Sequence, residues 1–353
     1  MKRYNVAVAG ALGLVGTTMV RILEEYDFPV QELRLLEQKD LVGAPVGFRG
    51  QVLLTIDATG EAFEGIDIAL FATSEDVSLD LVPKAVAHGA IAIDNSRAYR
   101  LDPNVPLVVP EVNPEDLAWH QGIIANPNCT TIGTIVVLKP IHDLSPIRRL
   151  VASTYQSTSG GAVRGMLELR KQAMDVAAGF APPPPTVFAR QIAFNLIPFI
   201  DVFEGDGYTR EEWKLIHETR KILHDPTMRI TDTAVRVPTL IGHAVSCNIE
   251  TASKVTAAQA RAALAKSPGV KVVDDIERLD FPQPIVVAGG DLTHVGRIRE
   301  DFSIENGLNL WLVSDNVRKG AAQNAVQIAQ EVVARGLMED WKKRRAAGSA
   351  AVI

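Results

Sequence analysis

Cysteine is scarce in this chain of 353 residues, which contains only Cys129 and Cys247. The two lie far apart, so they form neither a CxxC pair of the kind that binds zinc nor a disulfide framework. No uninterrupted apolar run approaches the roughly 18 residues that a membrane helix requires. We therefore expect a protein of the thiol-reducing cytoplasm that does not span or bind a membrane.

An excess of basic residues is also lacking. Lysine and arginine number 36 against 42 aspartates and glutamates, which gives a formal net charge of −6. This balance argues against a general nucleic-acid or anionic-membrane surface. Histidines and acidic residues do not stand at ligand spacing on any one predicted element, so we expect no metal site. Hydrophobic residues make up 47% of the chain, which excludes wholesale disorder and, at this length, fits about two domains.

Short apolar runs alternate with helical patterns in the first half of the chain. The predicted strands cover 5–9, 33–36, 67–72, 90–94, 107–109 and 123–125, and the predicted helices cover 15–26 and 77–88. Strands that alternate with helices are typical of a parallel sheet with right-handed crossovers. We therefore predict an α/β first domain with a doubly wound parallel sheet.

The second half mixes strands and helices without strict alternation, which favours an α+β domain. A helix is predicted to carry 132–138 and to end at Pro140. The other predicted elements are strands at 150–156, 244–251, 285–288 and 307–314 and helices at 209–223 and 256–266. The prolines at 182–185 predict an extended loop, and the alanine-rich tail at 341–353 predicts a frayed end.

A predicted helix at 316–335 follows the second domain and is expected to return to the first. We therefore predict a discontinuous dinucleotide-binding domain of residues 1–129 and 316–353. Residues 130–315 are predicted to form the second domain.

Glycines follow the first predicted strand and open the first predicted helix. Gly10, Gly13 and Gly16 have the spacing GxxGxxG. Glycines at such a junction let backbone amides approach a diphosphate, and the helix N-terminus adds partial positive charge. The loop predicts dinucleotide binding; the alternative is a helix that needs glycine for close packing.

The end of the second predicted strand carries opposing signals for the choice of dinucleotide. Glu37 is suited to accept a hydrogen bond from a ribose 2′-hydroxyl, which favours NAD. Lys39 is suited to pair with a 2′-phosphate, which favours NADP. The residues alone leave both cofactors open.

Cys129 follows the turn-forming segment 126–128 and precedes a predicted helix. A thiol at a helix N-terminus has its thiolate stabilised by the helix dipole and free amides, as a nucleophile requires. Cys247 lies inside an apolar predicted strand, which is typical of a core cysteine. Cys129 is therefore the candidate nucleophile.

Several segments together resemble the aspartate-semialdehyde dehydrogenase family. They are NPNCTT at 126–131, YQSTSGG at 155–161, QIAFNLIP at 191–198, TREEWK at 209–214, RVP at 236–238 leading to GH at 242–243, and DNVRKGA at 315–321. The segments follow one another in the family's order and span nearly the whole chain. By this resemblance the chain is identified as a member of the family.

The resemblance implies a glyceraldehyde-3-phosphate dehydrogenase-like fold, in which a Rossmann-type parallel sheet is joined to an α+β catalytic and dimerisation domain. It implies the reversible conversion of aspartyl phosphate to aspartate semialdehyde and phosphate through a cysteine thioester. The hydride carrier would be NADP, and the pathway would be lysine, methionine and threonine biosynthesis. The family also implies a homodimer or homotetramer.

The resemblance assigns roles to individual residues. Cys129 is the nucleophile, His243 is the general acid/base, and Gln156 orients the substrate. The other expected contacts with the reactants are Asn128 beside the nucleophile, Arg236 and Glu211 for the substrate, and Arg100 and Lys214 for the phosphate. The expected cofactor contacts are Gly10, Leu12, Gly13, Leu14, Val15, Gly16, Gln38, Ser159, Gly160 and Asn316.

One departure from the family pattern keeps other functions open. Where the family has small residues and an arginine for the 2′-phosphate, this chain has EQKD at 37–40. An NAD-dependent enzyme, a related acyl-phosphate or acyl-CoA reductase and a non-catalytic NAD(P)-binding paralogue therefore stay as alternatives. N-acetyl-γ-glutamyl-phosphate reductase fits less well, because its cysteine usually follows glycine, whereas Asn128 precedes Cys129 here.

Overall fold

A computed structural model describes residues 2–350 of the chain, with side chains to residue 346. The chain forms two compact units. The first unit joins the residues up to Pro127 to those from Ala321 onward, and the second runs from Asn128 to Gly320. The predicted functional division at 129/130 and 315/316 stays a prediction.

The helices and strands of residues 2–350 are as follows in chain order. Up to Pro127 they are β1 (Tyr4–Ala9), α1 (Leu14–Glu25), β2 (Val30–Glu37), β3 (Pro45–Phe48), β4 (Gln51–Leu54), β5 (Ile56–Asp57), β6 (Ile68–Phe71), α2 (Glu75–Ala87), β7 (Ile91–Asp94) and β8 (Ile123–Ala125). Beyond it they are α3 (Cys129–Leu144), β9 (Ile147–Gln156), α4 (Ala162–Ala177), α5 (Arg210–Ile222), β10 (Arg229–Arg236), β11 (His243–Thr251), α6 (Ala257–Leu264), β12 (Val270–Val272), α7 (Pro284–Val287), β13 (Thr293–Asp301), β14 (Gly307–Ser314), α8 (Gln323–Ala334) and α9 (Leu337–Ala350).

Within its described residues, the first unit contains a six-stranded parallel sheet in the order β5-β2-β1-β6-β7-β8. The central strand β1 is apolar on both faces because both faces are covered. Val6 and Val8 join a core with α1 and α8, whereas Ala7 and Ala9 join a core with α2. This confirms the predicted doubly wound sheet, and it brings the ends of β1, β2, β5 and β6 to one edge.

The second unit contains a mixed sheet in the order β10-β9-β11-β14-β13-β12. Pairs β10–β9 and β12–β13 are parallel and the others are antiparallel, which confirms the α+β class. Helices α3 and α6 pack on apolar residues of β9, β11 and β14. The register sets Arg236, the last residue of β10, beside Gln156, the last residue of β9. His243 begins β11 at the same edge.

Some local predictions are wrong. The predicted strand at 285–288 is the short helix α7, which begins at Pro284 because proline's fixed φ suits a first helical turn. Helix α3 continues past Pro140 to Leu144, since the loss of one backbone hydrogen bond is offset by the burial of Ile141. The predicted helix at 316–335 is confirmed over 323–334 as α8, and a π-helical turn, Arg318–Ala322, precedes it.

The C-terminal segment differs from its prediction as well. Helix α9 extends to Ala350, because Trp341 is buried and its Nε1 donates to the Gly89 carbonyl at 3.1 Å. Residues 351–353 of the predicted frayed tail lie outside the described residues. The predicted strand at 107–109 makes only an isolated bridge between Leu107 and Ala125. No helix in residues 2–350 has the length and hydropathy of a membrane-spanning segment.

Candidate functional site

The glycine loop joins β1 to α1 at the edge where the parallel strands end. Gly10 has a φ of +77°, a left-handed conformation that glycine adopts without strain. A Cβ at Gly16 would overlap the carbonyl oxygen of Gly10, so only glycine lets α1 begin this close to the strand. No side chain caps α1 at Gly13, which leaves its first backbone amides available to an anion.

A cleft of about 700 Å³ lies over this loop within the first unit. Its volume is in the range of small-molecule sites. Four of the predicted cofactor residues line the cleft, namely Gly10, Leu12, Gly13 and Gln38. Three others, Leu14, Val15 and Gly16, form the first turn of α1. The residues present fit the diphosphate of a dinucleotide.

Glu37 ends β2 and lines the same cleft. Its side chain is buried, and its Oε1 accepts a hydrogen bond of 2.7 Å from the backbone N–H of Leu12. Asp57 ends β5 directly beside it in the sheet register. Lys39 lies exposed in a 3₁₀ turn after β2. Two carboxylates therefore occupy the strand ends that face the ribose of a dinucleotide in doubly wound domains.

Cys129 is the first residue of α3 and is partly exposed. The side chain of Asn128 caps the helix, and its Oδ1 accepts from the backbone N–H of Thr130 at 2.9 Å. The thiol therefore stands at a helix N-terminus, where the helix dipole stabilises a thiolate. Cys247 is buried in β11, where burial and then the charge of Asp232 raise the pKa of its thiol.

Glu211, in the first turn of α5, is a buried acceptor for three side chains. Its Oε1 accepts from Asn128 Nδ2 at 3.1 Å and from Gln156 Nε2 at 3.2 Å, and its Oε2 accepts from Lys214 Nζ at 2.9 Å. Burial acts to raise the pKa of Glu211, but the charge and hydrogen bond of Lys214 and the charge of Arg236 lower it to about 2. Glu211 is therefore ionised at neutral pH.

Lys214 lies one helical turn after Glu211 and is bonded to two carboxylates. Its Nζ is 2.9 Å from Glu211 Oε2 and 2.9 Å from Asp201 Oδ2. Burial acts to lower the pKa of Lys214, but these two carboxylates outweigh burial and raise the pKa. The ammonium therefore stays charged, and its partial exposure lets an anion approach it.

Arg236 ends β10 beside Gln156 and is buried. Its guanidinium donates to the backbone carbonyl of Ser157 at 2.8 Å. Burial lowers the pKa of Arg236, and the negative charges of Glu211 and Cys129 oppose that shift. Arg236 is therefore a cation within electrostatic reach of both the thiol and Glu211.

His243 begins β11, and its ring is buried. Its Nδ1 accepts a hydrogen bond of 3.1 Å from the backbone N–H of Ser157. A ring nitrogen that accepts carries no proton, so the neutral imidazole holds its proton on Nε2. Nε2 is buried and has no hydrogen-bond partner in the described part of the chain. Burial, and then the charge of Arg236, lower the pKa of His243 to about 3.

Asn316 fixes the loop that follows β9. Its Oδ1 accepts from the hydroxyls of Ser157 and Ser159, each at 3.1 Å, and from the N–H of Gly242 at 2.9 Å. Two predicted cofactor residues, Ser159 and Asn316, are thus bonded to each other. Asn316 thereby holds in place both the loop at 157–159 and Gly242, the residue before His243.

Most of the predicted site residues are linked by contacts within the second unit. These are Asn128, Cys129, Gln156, Ser159, Gly160, Glu211, Lys214, Arg236, His243 and Asn316. Arg100 belongs to the first unit, where it is buried and its Nε donates to the carbonyl of Asn126 at 2.9 Å. Residues 2–350 contain no group of three or more His, Cys, Asp or Glu residues able to hold a metal ion.

Sequence reasoning missed three residues of this site. Ser157 supplies the N–H that orients His243, and it lies within a segment already singled out at 155–161. Gly320 packs against Cys129 and lies within another, at 315–321. Glu218, whose Oε2 accepts from the backbone N–H of Asn128 at 2.6 Å, lies two helical turns after Glu211. That helical spacing is the signal that would have pointed to Glu218.

Two family profiles match most of the chain. The profile described as semialdehyde dehydrogenase, NAD binding domain, matches residues 5–120. The profile described as semialdehyde dehydrogenase, dimerisation domain, matches residues 138–319. The two matches fall on the parallel and the mixed sheet respectively.

Curated enzymes are similar along nearly the whole chain. Aspartate-semialdehyde dehydrogenase of Aquifex aeolicus is 47% identical over 339 residues, which cover 95% of this chain and 99% of that protein. The Bacillus subtilis enzyme of the same name is 44% identical over 93% of this chain and 97% of that protein. The crystal structure of aspartate semialdehyde dehydrogenase II complexed with ASA from Vibrio cholerae matches with a TM-score of 0.92 at 42% identity, over 94% of this chain and 99% of that one.

Proposed function

Because this chain belongs to the aspartate-semialdehyde dehydrogenase family, we propose that it reversibly converts aspartyl phosphate to aspartate semialdehyde and phosphate. The chain is thus an oxidoreductase that uses a nicotinamide dinucleotide. One observation about this chain supports that chemistry. Ionised Glu211 accepts hydrogen bonds from Asn128, Gln156 and Lys214, and Asn128 directly precedes Cys129 at the start of α3. The aldehyde product would serve lysine, methionine and threonine biosynthesis.

Cys129 acts as the nucleophile in this proposal. In the biosynthetic direction its thiolate attacks the acyl carbon of aspartyl phosphate, the bond to the phosphate oxygen breaks, and a thioester forms. The dinucleotide, when bound, supplies the hydride that reduces the thioester and accepts a hydride in the reverse direction. The resulting thiohemiacetal on Cys129, formed as its alkoxide, re-forms the carbonyl, and the carbon–sulfur bond breaks to release the aldehyde and the Cys129 thiolate.

Charged residues of the second unit are suited to bind the carboxylate, ammonium and phosphate groups of the substrate. Arg236 offers a planar fork that binds a carboxylate bidentately. Glu211 uses three of the roughly four acceptor positions of its carboxylate and keeps capacity for the substrate ammonium. Lys214 is partly exposed and charged, which suits a phosphate oxygen. Arg100 of the first unit is the other proposed phosphate ligand.

The resemblance gives His243 as the general acid/base, and we propose that it acts at the oxygen of the reacting carbonyl. Because Ser157 donates to Nδ1, the ring offers Nε2–H as a donor. As the thioester carbonyl gains negative charge during reduction, a fixed donor stabilises it without rearrangement. Gln156 contributes to orientation, since its amide nitrogen is bonded to both Glu211 and Thr154.

We propose a homodimer or homotetramer that is built through the second unit and works in the cytoplasm. A match to a dimerisation domain supports this arrangement. The family resemblance gives NADP as the hydride carrier, and the atypical segment at 37–40 keeps NAD open as the alternative. The glycine loop itself fits the diphosphate that NADP and NAD share.

The activity is tested by incubating the protein with aspartate semialdehyde, phosphate and either NADP⁺ or NAD⁺, and by following absorbance of the reduced dinucleotide. We expect phosphate-dependent reduction that falls by at least about 1,000-fold in Cys129→Ala and persists in Cys247→Ala. Absence of reduction with either dinucleotide overturns the activity. Unchanged turnover in Cys129→Ala overturns the thioester mechanism, and a requirement for coenzyme A in place of phosphate favours an acyl-CoA reductase.

A further inference from the structure

The ends of β2 and β5 form an acidic corner, defined by Glu37 and Asp57, in the nucleotide cleft. The two residues are neighbours in the parallel register, and both line the cleft. We propose that this corner selects NAD over NADP and that Glu37 recognises the adenosine ribose. This inference rests on the proposed dehydrogenase function and specifies the cofactor of the same site.

Glu37 is held in place by the glycine loop. It is 8% exposed, and its Oε1 accepts from the backbone N–H of Leu12 at 2.7 Å. The carboxylate is therefore fixed between the end of the second strand and the loop that binds a diphosphate. A carboxylate in that position accepts a hydrogen bond from a ribose 2′-hydroxyl. In NADP this hydroxyl is esterified with phosphate, so the hydrogen bond is lost.

The cleft has no cation to offset a 2′-phosphate. Within residues 2–350, its lining includes Glu37, Asp57, Asp76 and Asp80 but no lysine or arginine. Asp80 is paired with Lys84 at 2.7 Å, and Lys84 does not line the cleft. A phosphate monoester carries a charge of about −1.5 to −2 at neutral pH. Placed beside Glu37 and Asp57, it would be repelled.

Lys39 is the cation nearest to the corner in the sequence. It belongs to the 3₁₀ turn Lys39–Leu41, is exposed, and does not line the cleft. Asp40 follows it directly in the same turn. Lys39 therefore serves as the matched control for Glu37, because it is the residue that would bind a 2′-phosphate if the chain preferred NADP.

The experiment is isothermal titration calorimetry of the full chain with NAD⁺, NADP⁺, adenosine 5′-phosphate and adenosine 2′,5′-bisphosphate. The last two report on the adenosine end without any hydride chemistry. We expect NAD⁺ to bind about 100-fold more tightly than NADP⁺, because the 2′-phosphate of NADP⁺ would lie beside like charges.

Three variants locate the origin of the selectivity. Glu37→Gln keeps an oxygen for the Leu12 N–H but removes the charge, and we expect it to reduce the NAD⁺/NADP⁺ affinity ratio by at least about tenfold. Asp57→Asn, at an exposed strand end without a bond to the glycine loop, is expected to reduce the ratio as well. Lys39→Ala should leave the ratio within about twofold.

The outcomes separate this inference from the function on which it rests. Equal or tighter binding of NADP⁺ by the wild-type protein overturns the selectivity and leaves the proposed function standing. The proposed selectivity is also overturned if neither Glu37→Gln nor Asp57→Asn changes the NAD⁺/NADP⁺ affinity ratio. Loss of NADP⁺ binding in Lys39→Ala overturns it as well. If neither dinucleotide and neither fragment binds, the proposed function fails together with the inference.

Discussion

Gly320 lies against the backbone of Cys129. A Cβ at position 320 would come within 3.0 Å of the Cys129 Cβ and within 3.1 Å of its carbonyl oxygen. Gly320 belongs to the π-helical turn Arg318–Ala322, and its N–H donates to the carbonyl of Asp315 at 2.9 Å. The turn after β14 therefore fixes the position of the first residue of α3.

A methyl group at position 320 should displace Cys129 by a few tenths of an ångström. We expect Gly320→Ala to lower kcat by about tenfold, because small misplacements of reacting groups have large effects on rate. The measurement is steady-state kinetics with aspartate semialdehyde, together with the melting temperature. Gly205→Ala, where a Cβ meets open space, is the control. Equal kcat values in the two variants would contradict a positioning role for Gly320.

The two cysteines should differ in reactivity. Cys129 stands partly exposed at a helix N-terminus, whereas burial and then Asp232 raise the pKa of Cys247. We expect iodoacetamide at neutral pH to modify Cys129 at least about 100-fold faster than Cys247. Peptide mass spectrometry measures both sites in one sample, and urea-unfolded protein serves as the control in which the two rates converge. Modification of both at one rate in the folded protein would refute this assignment.

His243 should be neutral and protonated on Nε2 throughout the physiological range. Its Nδ1 accepts from Ser157, and burial followed by the charge of Arg236 lowers its pKa to about 3. Nitrogen NMR of labelled protein between pH 5 and 8 should therefore show one unchanging neutral tautomer. His243→Gln identifies the resonance. A titration with a midpoint near pH 6.5 would show that the ring is not held in this way.

The same shift of His243 predicts a pH dependence of stability. As the pH falls below the ordinary value of 6.5, the unfolded chain takes up a proton that the folded chain does not. The free energy of unfolding should therefore decrease between about pH 6.5 and 3, with a slope of up to about 1.4 kcal/mol per pH unit from this group. Urea titrations at several pH values measure the slope, and His243→Gln should reduce it.

Asp232 should have the opposite pH dependence. It is buried in β10, and neither carboxyl oxygen has a hydrogen-bond partner in the described part of the chain. Burial, and then the charges of Glu212 and Glu211, raise its pKa well above 3.8. The unfolded chain therefore releases this proton at a lower pH than the folded chain does. As a result, the free energy of unfolding falls as the pH rises above about 4.

Asp232→Asn removes that ionisation while keeping the shape of the side chain. We expect the variant to be more stable than the wild type at pH 8, by at least about 1 kcal/mol, and close to it at pH 4. Urea unfolding at the two pH values measures the difference. Asp225→Asn is a matched control. A hydrogen bond from Thr227 lowers the pKa of Asp225, so this variant should be less stable than the wild type at pH 8. A destabilised Asp232→Asn at pH 8 would contradict a raised pKa for this carboxyl.

The doubly wound sheet and the start of α3 could be predicted because their signals are local. The apolar run before Gly10 and the helical spacing after it give a strand, a loop and a helix without tertiary information. Cys129 follows turn-forming residues and precedes apolar ones, and the structure has it as the first residue of α3. Strand β10 has the sequence RITDTAVR, which lacks an apolar run or a regular alternation and was missed, so the register of Arg236 beside Gln156 was not predicted.

The remaining features depend on contacts between distant parts of the chain. The bond from Ser157 to His243 joins residues 86 positions apart and uses a backbone N–H, which leaves no mark in the sequence. Helix α9 looked frayed from its composition, yet it is anchored where Trp341 bonds to Gly89. The predicted helix at 316–335 begins with a π-helical turn in which Gly320 lies against Cys129, a contact between residues 191 positions apart.

The discontinuity of the first unit has a consequence for synthesis on the ribosome. Its core contains Ala325, Ile328 and Val332 of α8 next to Val6 and Val8 of β1, so the face of the N-terminal sheet that α1 covers lacks its second helix until α8 emerges. The second unit, Asn128–Gly320, is continuous and is translated completely before that point. Nascent chains should therefore mature from the middle outward, and truncation directly before α8 would leave apolar strands of the first unit open to chaperones.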